Sequence, residues 1–509
     1  MSGHNVKDLL LASRLDRADV AALLAPYGIK DPQKADRNLQ TIAEEPAERE
    51  IMADILEDLL KCVSQSADPD QAITYLERFT QAAIHRLRLF SHLKDAPRAL
   101  EVLATILGGS PYMAEILIRD PQQFYWVTDP QTLNSVRQKR AIKYELLRTL
   151  NLLEDEHKQL DYLRYFKRRE ILHIGVRDLL RLCSVQDTLK ALSVLAEVLI
   201  SGALWISSAA MRREHQIPRN AFTSFAVLAM GKLGGGELNF SSDVDLMYVY
   251  GSDEETARSI PAPEYFRRLS VRMTAALNDF TSEGYVYRVD LRLRPEGDSG
   301  YIAYSLHGYK RYYETRLGSW ERLALLKAWP VAGNRELGSR FLKMVNPFVY
   351  ERPFDGATLE DIRTMKRKMD EQIAARQQRD RNVKLGTGGI REIELIAQMM
   401  QVRHGSSIPQ LQVRTTLGAL TALCDASLIS VEQCNTLSEA YVFLRDVENK
   451  LQMINDAQTH SLPRDHEQLT ACARLLGYSE AEQLLREYQR HTGSVNVLFD
   501  RVFSNSTLL

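Results

Sequence analysis

The sequence has little cysteine, no long apolar run and almost no net charge. Its 5 cysteines, among 509 residues, are scattered and form no C-x-x-C pair. A disulfide framework and a zinc site of the usual spacing are therefore excluded. We expect reduced and mostly buried thiols, as in a cytoplasmic protein, at Cys62, Cys183, Cys424, Cys434 and Cys472.

Charge and hydropathy exclude two further classes of protein. With 65 basic and 66 acidic residues the formal net charge is -1, so no overall field attracts nucleic acid or an anionic membrane. The longest apolar passage, around residues 193–206, contains Glu197 and falls short of the ~20 residues that a membrane span needs. The N-terminus also lacks the apolar core of a secretory signal. We therefore expect a cytoplasmic protein without nucleic-acid or membrane partners.

The length and the changing pattern along the chain predict three regions. A chain of 509 residues is too long for one compact core. Residues 1–219 and 336–509 show helical apolar spacing, whereas residues 220–335 mix strand-like and helical segments. The predicted fold class is α+β and mostly helical, with a small mixed-sheet domain between helical domains.

The mixed region contains a glycine-rich turn between two apolar runs. Residues 225–230 and 244–250 have the length and composition of strands, and Gly231, Gly234 and Gly235 lie between them. These glycines fit neither the P-loop pattern nor the Rossmann pattern. On their own they also fit a simple tight turn.

Paired carboxylates follow this turn. Asp243 and Asp245 are two residues apart, so on a strand both side chains project from one face. Two carboxylates at this spacing repel each other unless a cation lies between them, and Mg²⁺ or Mn²⁺ prefers such oxygen ligands. The alternative is a surface pair without a metal-binding role, because Asp-x-Asp pairs are common on protein surfaces.

A third carboxylate is predicted on another strand. Residues 285–295 alternate in the manner of a strand, with Arg288, Asp290, Arg292 and Arg294 on one face. Asp290 would then complete a cluster of three carboxylates, and the arginines beside it would hold phosphate oxygens. Such a cluster fits two-metal phosphoryl chemistry.

Three more segments carry charges with two possible interpretations. Residues 319–331 are predicted to form a helix on which Arg322 and Lys327 either contact phosphate or are simply solvated. The basic run at residues 363–384 is expected to be a solvated helix face, with binding of a nucleotide or an acidic partner as the alternative. The glycine-rich loop at residues 386–389 precedes a helix whose early acids suit the positive end of its dipole.

Four long motifs, in this order, resemble one family of enzymes. They are GKLGGGELNFSSDVDL, VYRVDLRLRPEGDSG, SWERLALLKA and KLGTGGIREIE. They resemble the bifunctional glutamine-synthetase adenylyltransferase/adenylyl-removing enzymes, whose catalytic domains are similar to nucleotidyltransferases of the polymerase-beta class. The resemblance extends from about residue 112 to residue 451. Gly231 and Lys232 stand where a Gly-Ser pair usually opens the phosphate-binding turn.

The resemblance implies a set of site residues. Asp243, Asp245 and Asp290 are implied as catalytic groups and as ligands of Mg²⁺ or Mn²⁺. The implied nucleotide and phosphate contacts are Gly231, Lys232, Gly234, Gly235, Ser241, Ser242, Arg292 and Arg294. The mixed-sheet region is implied to be the nucleotidyltransferase domain.

The resemblance also implies a reaction. Family members carry two related halves, and this sequence, with its single Asp-x-Asp unit, resembles the N-terminal, adenylyl-removing half. The implied activity is phosphorolysis of adenylyl-tyrosine on adenylylated glutamine synthetase, with phosphate as co-substrate, release of ADP and a PII-type signal protein as regulator. One alternative is an adenylyltransferase that moves AMP from ATP to the synthetase. Another is a non-catalytic module that docks these partners.

Overall fold

The computed structural model describes residues 4–12, 15–218, 220–257, 260–375 and 380–504. Helices dominate these residues, and the strands form one small mixed sheet and one short hairpin. The predicted α+β, mostly helical class is confirmed. The predicted region boundary at residue 219 and part of the basic run, residues 376–379, lie outside the described residues.

The helices before the sheet have clear start signals. Asp68 and Ser110 accept backbone hydrogen bonds at the N-termini of α5 (Pro69–Ala82) and α8 (Pro111–Arg119), and a proline follows each of them. The helices of the described residues in this part are α1 (Asp8–Leu11), α2 (Arg17–Leu24), α3 (Pro32–Ile42), α4 (Pro46–Gln65), α5 (Pro69–Ala82), α6 (Arg86–Asp95), α7 (Pro97–Gly109), α8 (Pro111–Arg119), α9 (Gln122–Thr128), α10 (Pro130–Asn134), α11 (Lys139–Leu152), α12 (Glu156–Leu179) and α13 (Val185–Glu214).

Strands and helices alternate in the next part, and helices alone follow. The mixed part has β1 (Phe225–Ala229), α14 (Gly231–Gly235), β2 (Val244–Tyr250), β3 (Thr256–Ala257), β4 (Ile260–Pro261), α15 (Ala262–Asn278), β5 (Val289–Asp290), β6 (Ala303–Ser305), α16 (Leu306–Arg316), α17 (Ser319–Leu325) and β7 (Trp329–Gly333). The last part has α18 (Arg335–Tyr350), α19 (Gly356–Ala375), α20 (Ile390–His404), α21 (Thr416–Asp425), α22 (Val431–Asn455), α23 (His466–Leu475) and α24 (Ala481–Ser504).

The chain forms two compact units, each built from three separate stretches. The first unit consists of Met1–Val136, Arg168–Ser184 and Asn449–Arg486. The second, which contains the sheet, consists of Arg137–Lys167, Val185–Glu448 and Glu487–Leu509. The three consecutive regions expected from the sequence therefore stay a prediction.

Helix α13 is the core helix of the second unit. This helix is long and apolar enough to cross a membrane. Among the described residues, one bent pair of helices is also long and apolar enough if the two helices are taken as a single span. Most of the apolar stretch of α13 is buried inside the protein, which is also typical of a core helix. The helix packs against α11, α15 and β7.

The main sheet has the order β5, β2, β1, β7, and β6 also pairs with β2. Strand β1 is antiparallel to both of its neighbours, whereas β5 and β6 run parallel to β2. All five residues of β1 are buried, because helices cover the sheet, and this explains the unbroken apolar run in the sequence. The strands predicted at residues 225–230 and 244–250 are confirmed.

Two sequence predictions for this part are wrong. The strand expected over residues 285–295 is limited to β5, because the backbone N–H of Arg294 bonds the carbonyl of Leu291 and turns the chain away. The helix expected over residues 319–331 stops with α17, and β7 follows it. Of the cysteines, only Cys472 is buried and the other four are half-buried, so the expectation of mostly buried thiols is also wrong.

Candidate active site

Two carboxylates are neighbours at one edge of the sheet. In the parallel pairing of β2 with β5, Asp245 is directly opposite Asp290. Neighbouring strands are about 4.8 Å apart, and paired residues project from the same face. The sheet therefore places these two side chains side by side.

The third carboxylate, Asp243, precedes β2 and is held by an arginine. Nε of Arg288 is 2.7 Å from Oδ1 of Asp243. The same arginine donates to the carbonyl of Ser241 at 2.9 Å, and its own carbonyl accepts the backbone N–H of Val244 at 3.0 Å. Arg288 thus fixes the loop that leads into β2.

Asp245 is the electrostatically strained member of the cluster. Burial raises the pKa of Asp245 to about 6, and the nearby charges of Asp290 and Asp243 raise it in the same direction. A carboxylate that two others destabilise is a group that a cation would stabilise. The pairing of β2 with β5 brings Asp245 and Asp290 together, and Asp243 lies two residues before Asp245 in the chain.

Asp290 is neutralised by the arginine that follows it. Its Oδ2 is 2.5 Å from the guanidinium of Arg292, and its Oδ1 accepts the backbone N–H of Arg292 at 2.8 Å. Burial would raise the pKa of Asp290, but these hydrogen bonds outweigh it and lower the pKa. The side chain of Arg292 is 70% exposed.

Arg294 is not on the same face. It is buried, and its guanidinium donates to the carbonyl of Leu291 at 2.8 Å and approaches Asp298 at 3.8 Å. The expectation that Arg288, Arg292 and Arg294 share a strand face with Asp290 fails because the strand ends at Asp290.

The glycine-rich turn forms the short helix α14 beside Asp245. Gly231 has φ of +54°, and a Cβ placed on it would lie 2.3 Å from Oδ2 of Asp245, so only glycine allows this approach. A Cβ on Gly234 would lie 1.9 Å from the carbonyl oxygen of Lys327. Gly234 therefore serves close packing against the segment before β7. A Cβ on Gly235 would meet the carboxylate of Glu237 at 2.9 Å.

The remaining predicted contacts are engaged within the protein. Nζ of Lys232 is 2.8 Å from Oε1 of Glu448. Burial lowers the pKa of Lys232 to about 7, although Glu448 acts in the opposite direction. Ser241 and Ser242 are buried, and Oγ of Ser242 accepts the backbone N–H of Asn239 at 3.3 Å.

Arg322 and Lys327 are buried and bonded within the protein, so they are not surface cations. Arg322 is buried and donates to the carbonyls of Val349 at 2.7 Å and Pro353 at 3.0 Å. Nζ of Lys327 is 2.9 Å from carboxylate oxygens of both Glu237 and Glu394. Burial alone would lower the pKa of Lys327, but these two carboxylates outweigh it and raise the pKa. The interpretation of these residues as solvated surface cations is therefore wrong.

The glycine-rich loop at residues 386–389 is hydrogen-bonded to the helix that follows it, α20. The N–H of Gly388 donates to Oε2 of Glu392 at 2.9 Å, and Lys366 from the basic run is 2.9 Å from Oε1 of the same residue. Arg367, on the exposed side of α19, is 65% exposed. The prediction of a solvated basic face thus holds for Arg367, whereas Lys366 is buried.

A comparison with family models identifies the chain. The model described as "Glutamate-ammonia ligase adenylyltransferase" matches residues 100–344, which include the carboxylate cluster. The chain belongs to this family. A second model, described as "GlnD PII-uridylyltransferase", matches residues 363–503. The resemblance noted in the four sequence motifs is confirmed.

Curated relatives support the same family. A "Bifunctional glutamine synthetase adenylyltransferase/adenylyl-removing enzyme" of Thioalkalivibrio sulfidiphilus (strain HL-EbGR7) is 37% identical over 410 residues, 79% of this chain and 42% of that protein. A protein of the same name from Nitrosococcus oceani (strain ATCC 19707 / BCRC 17464 / JCM 30415 / NCIMB 11848 / C-107) is 35% identical over 436 residues, 84% of this chain and 45% of that protein. The chain spans less than half the length of these relatives.

The family is one of nucleotidyltransferases, which generally use divalent metal ions. In the part of the chain that the structure describes, no group of three or more His, Cys, Asp or Glu side chains forms a ready-made metal site. Asp243 and Asp290 each pair with an arginine, while burial and the neighbouring carboxylates raise the pKa of Asp245. Carboxylate oxygens such as those of these three residues are a kind of ligand that divalent metal ions bind.

A group of buried charges was not recognised in the sequence. Arg445 and Glu448 on α22 are 1% and 0% exposed, and they bond each other at 2.8 Å. The sequence did contain a signal, because both residues fall within the helical stripe of Tyr441 and Leu444. An oppositely charged pair three residues apart inside an apolar stripe indicates a buried ion pair.

Proposed function

We propose that the chain phosphorolyses adenylyl-tyrosine on glutamine synthetase and releases ADP. The observation that carries the proposal is the cross-strand pair Asp245 and Asp290 beside a glycine turn, with the exposed Arg292 on Asp290. The names of the relatives include both adenylyltransferase and adenylyl-removing activity. The adenylyl-removing direction rests on the resemblance of the motifs to the N-terminal half of the family.

In the proposed reaction, an oxygen of inorganic phosphate attacks the phosphorus of the AMP–tyrosine bond. The bond between this phosphorus and the tyrosine oxygen breaks, its electron pair goes to that oxygen, and a proton restores the hydroxyl. Mg²⁺ or Mn²⁺, held by Asp243, Asp245 and Asp290, would supply positive charge to the phosphate oxygens. Arg292 would orient the attacking phosphate by bidentate hydrogen bonds after it leaves Asp290.

The turn and the loop before β2 shape the rest of the proposed site. Gly231 leaves room beside Oδ2 of Asp245, where backbone and substrate phosphate can come close. Arg288 keeps Asp243 oriented, since it binds the Asp243 carboxylate and the Ser241 carbonyl together. Lys232 contributes by its bond to Glu448 rather than by direct contact with the nucleotide, and Gly234 and Gly235 contribute by packing.

Two partners and a location complete the proposal. The match of residues 363–503 to the "GlnD PII-uridylyltransferase" model supports a PII-type signal protein as regulator. Adenylylated glutamine synthetase is the proposed substrate, and the small net charge of -1 supports a cytoplasmic location without nucleic-acid or membrane partners.

The second candidate is the adenylyltransferase direction, in which ATP donates AMP to the same tyrosine. The description of the matching family names this activity, and the same three carboxylates would hold the metal ions. Two reaction mixtures decide between the candidates. In the first, the chain is incubated with adenylylated synthetase and phosphate, and in the second with unmodified synthetase and ATP. ADP release in the first mixture supports the proposal. AMP transfer in the second mixture alone would replace it.

A further inference from the structure

A buried carboxylate on α22 connects to both ends of the glycine-rich turn. Glu448 is 0% exposed, and its oxygens accept hydrogen bonds from Nζ of Lys232 at 2.8 Å, Nδ2 of Asn239 at 3.1 Å and Arg445 at 2.8 Å. Lys232 belongs to α14, and Asn239 lies four residues before Asp243. Three donors are what a fully buried carboxylate needs to offset the loss of its hydration.

A second contact holds the middle of the same segment. The guanidinium of Arg445 donates to the carbonyl of Glu237. The carboxylate of Glu237 in turn accepts the backbone N–H of Thr416 at 2.6 Å and binds Nζ of Lys327 at 2.9 Å. Residues 231–242 are thus held at Lys232, Glu237 and Asn239 by groups of α21, of α22 and of Lys327.

These contacts bear on the proposed active site because the held segment forms one side of it. Gly231 lies against Oδ2 of Asp245, and Asn239 donates its backbone N–H to Ser242 directly before Asp243. A shift of about 1 Å in such a segment is enough to reduce catalysis strongly. We propose that Glu448 is a positioning residue, which fixes the turn and the Asp243 loop at the depth where substrate phosphate meets the carboxylates.

This inference rests on the proposed function, and it adds a role for a residue outside the stretch matched to the adenylyltransferase family. Residues 363–503, which contain Glu448, match the other family model. The chain therefore sets the geometry of its catalytic turn with a side chain from a different family segment.

The test replaces Glu448 and a matched control. Glu448→Gln keeps the shape and removes the charge, while Asp178→Asn does the same to another buried carboxylate, which pairs with Lys450 on α22 within the first unit. Both variants are expected to lower the melting temperature, since each removes a carboxylate charge that stabilises a buried cation. Glu448→Gln is expected to lower kcat by about 30-fold or more with a smaller change in KM, and Asp178→Asn to stay within about 3-fold of wild type.

A double-mutant cycle separates positioning from general destabilisation. If Glu448 acts through the turn, adding Glu448→Gln to Lys232→Gln costs less than about 3-fold beyond the Lys232→Gln variant alone. Two results would overturn the proposal. One is independent, multiplicative losses in the cycle, and the other is equal losses of kcat in Glu448→Gln and Asp178→Asn.

A binding measurement distinguishes failure of this inference from failure of the proposed function. Calorimetric titration of each variant with ADP in the presence of Mn²⁺ needs no turnover. If wild type binds ADP but releases none from adenylylated synthetase, the proposed function fails. The positioning role is then supported by at least about 10-fold weaker ADP binding in Glu448→Gln but not in Asp178→Asn. Equal affinities, or no ADP binding by wild type, would overturn it.

Discussion

At the scale of single residues, the account depends on how each carboxylate of the cluster is charged. The pKa of Asp290 is lowered by Arg292, whereas the pKa of Asp245 is raised by burial and by Asp290 and Asp243. Neighbouring residues of one type thus have opposite shifts, because only one of them has an arginine of its own. Because of this asymmetry, a bound metal ion would stabilise the charged form of Asp245 more than that of Asp290.

The first prediction concerns the pH dependence of stability in metal-free protein. The pKa of Asp245 rises from 3.8 to about 6 on folding, so between these values the folded state binds more protons than the unfolded state. The contribution of this group is therefore most favourable below pH ~4 and is lost as the pH rises through ~6. We expect Asp245→Asn to melt higher than wild type at pH ~7, and the gap to close at pH ~4.

Melting curves at several pH values check this prediction, and Mg²⁺ or Mn²⁺ provides its control. Metal should raise the melting temperature of wild type more than that of Asp245→Asn, because a ligand of the folded state stabilises it in proportion to its binding. A melting gap that does not depend on pH, together with equal metal effects, would contradict the assignment of Asp245.

The second prediction separates the two arginines that follow Asp290. Arg292→Lys keeps the charge but loses the bidentate fork, so it should raise the KM for phosphate by about 10-fold while kcat at saturating phosphate changes little. Arg294→Lys is the matched control, because Arg294 is buried and bonded to the carbonyl of Leu291. A phosphate titration of both variants decides. Equal KM values in Arg292→Lys and wild type would exclude Arg292 as the phosphate contact.

At the scale of elements, sequence patterns predicted those strands and helices that are defined by buried apolar side chains. β1, β2 and α15 were predictable because their apolar side chains follow strand or helix spacing and are buried. The strand predicted over residues 285–295 was too long, since β5 has only two residues. Strand β7 was missed, since it begins with the exposed Trp329 followed by Pro330. Pairing with a neighbouring strand, rather than a local pattern, makes these residues strands.

The glycine turn also shows that a local sequence pattern does not reveal long-range contacts. The sequence placed Gly231 and Gly234 in one phosphate-binding turn, but the structure gives them different neighbours. Gly231 meets the carboxylate of Asp245, and Gly234 meets the carbonyl of Lys327, which is ninety-three residues away in the chain. Spacing of glycines along the chain cannot show which long-range contact each one permits.

The third prediction tests the packing role of Gly234. Gly234→Ala would put a methyl group 1.9 Å from the backbone carbonyl of Lys327, so it should destabilise the protein by about 2 kcal/mol or more. Gly356→Ala is the control, because a Cβ at the start of α19 meets no heavy atom within 4 Å. It should change stability by less than about 0.5 kcal/mol. Denaturant unfolding compares them, and equal stabilities would contradict the assigned packing role.

At the scale of the whole molecule, the chain order does not reveal which stretches pack together. Each compact unit combines three distant stretches, whereas composition could only divide the chain into consecutive regions. Family motifs, by contrast, indicated the family correctly, and the match at residues 100–344 confirms it. The buried charges of α22 were missed because their partners lie about two hundred residues earlier in the chain.

At this scale, the functional question is which of the two activities named in its relatives the chain performs, because it matches only part of their length. The chain aligns with 42% and 45% of two bifunctional relatives, whose shared name holds two opposite activities. Both activities use carboxylate-held metal ions, so the geometry of the cluster alone is compatible with either direction. The direction is therefore the central claim to test.

The most direct measurement is ADP release from adenylylated glutamine synthetase, with phosphate and Mg²⁺ present and ATP absent. Wild type should release one ADP for each AMP lost from the synthetase, and the rate should rise with phosphate. Asp290→Asn should reduce the rate by about 100-fold or more while the circular dichroism spectrum stays unchanged. No phosphate-dependent ADP release by wild type, with AMP transfer from ATP onto unmodified synthetase, would contradict the account.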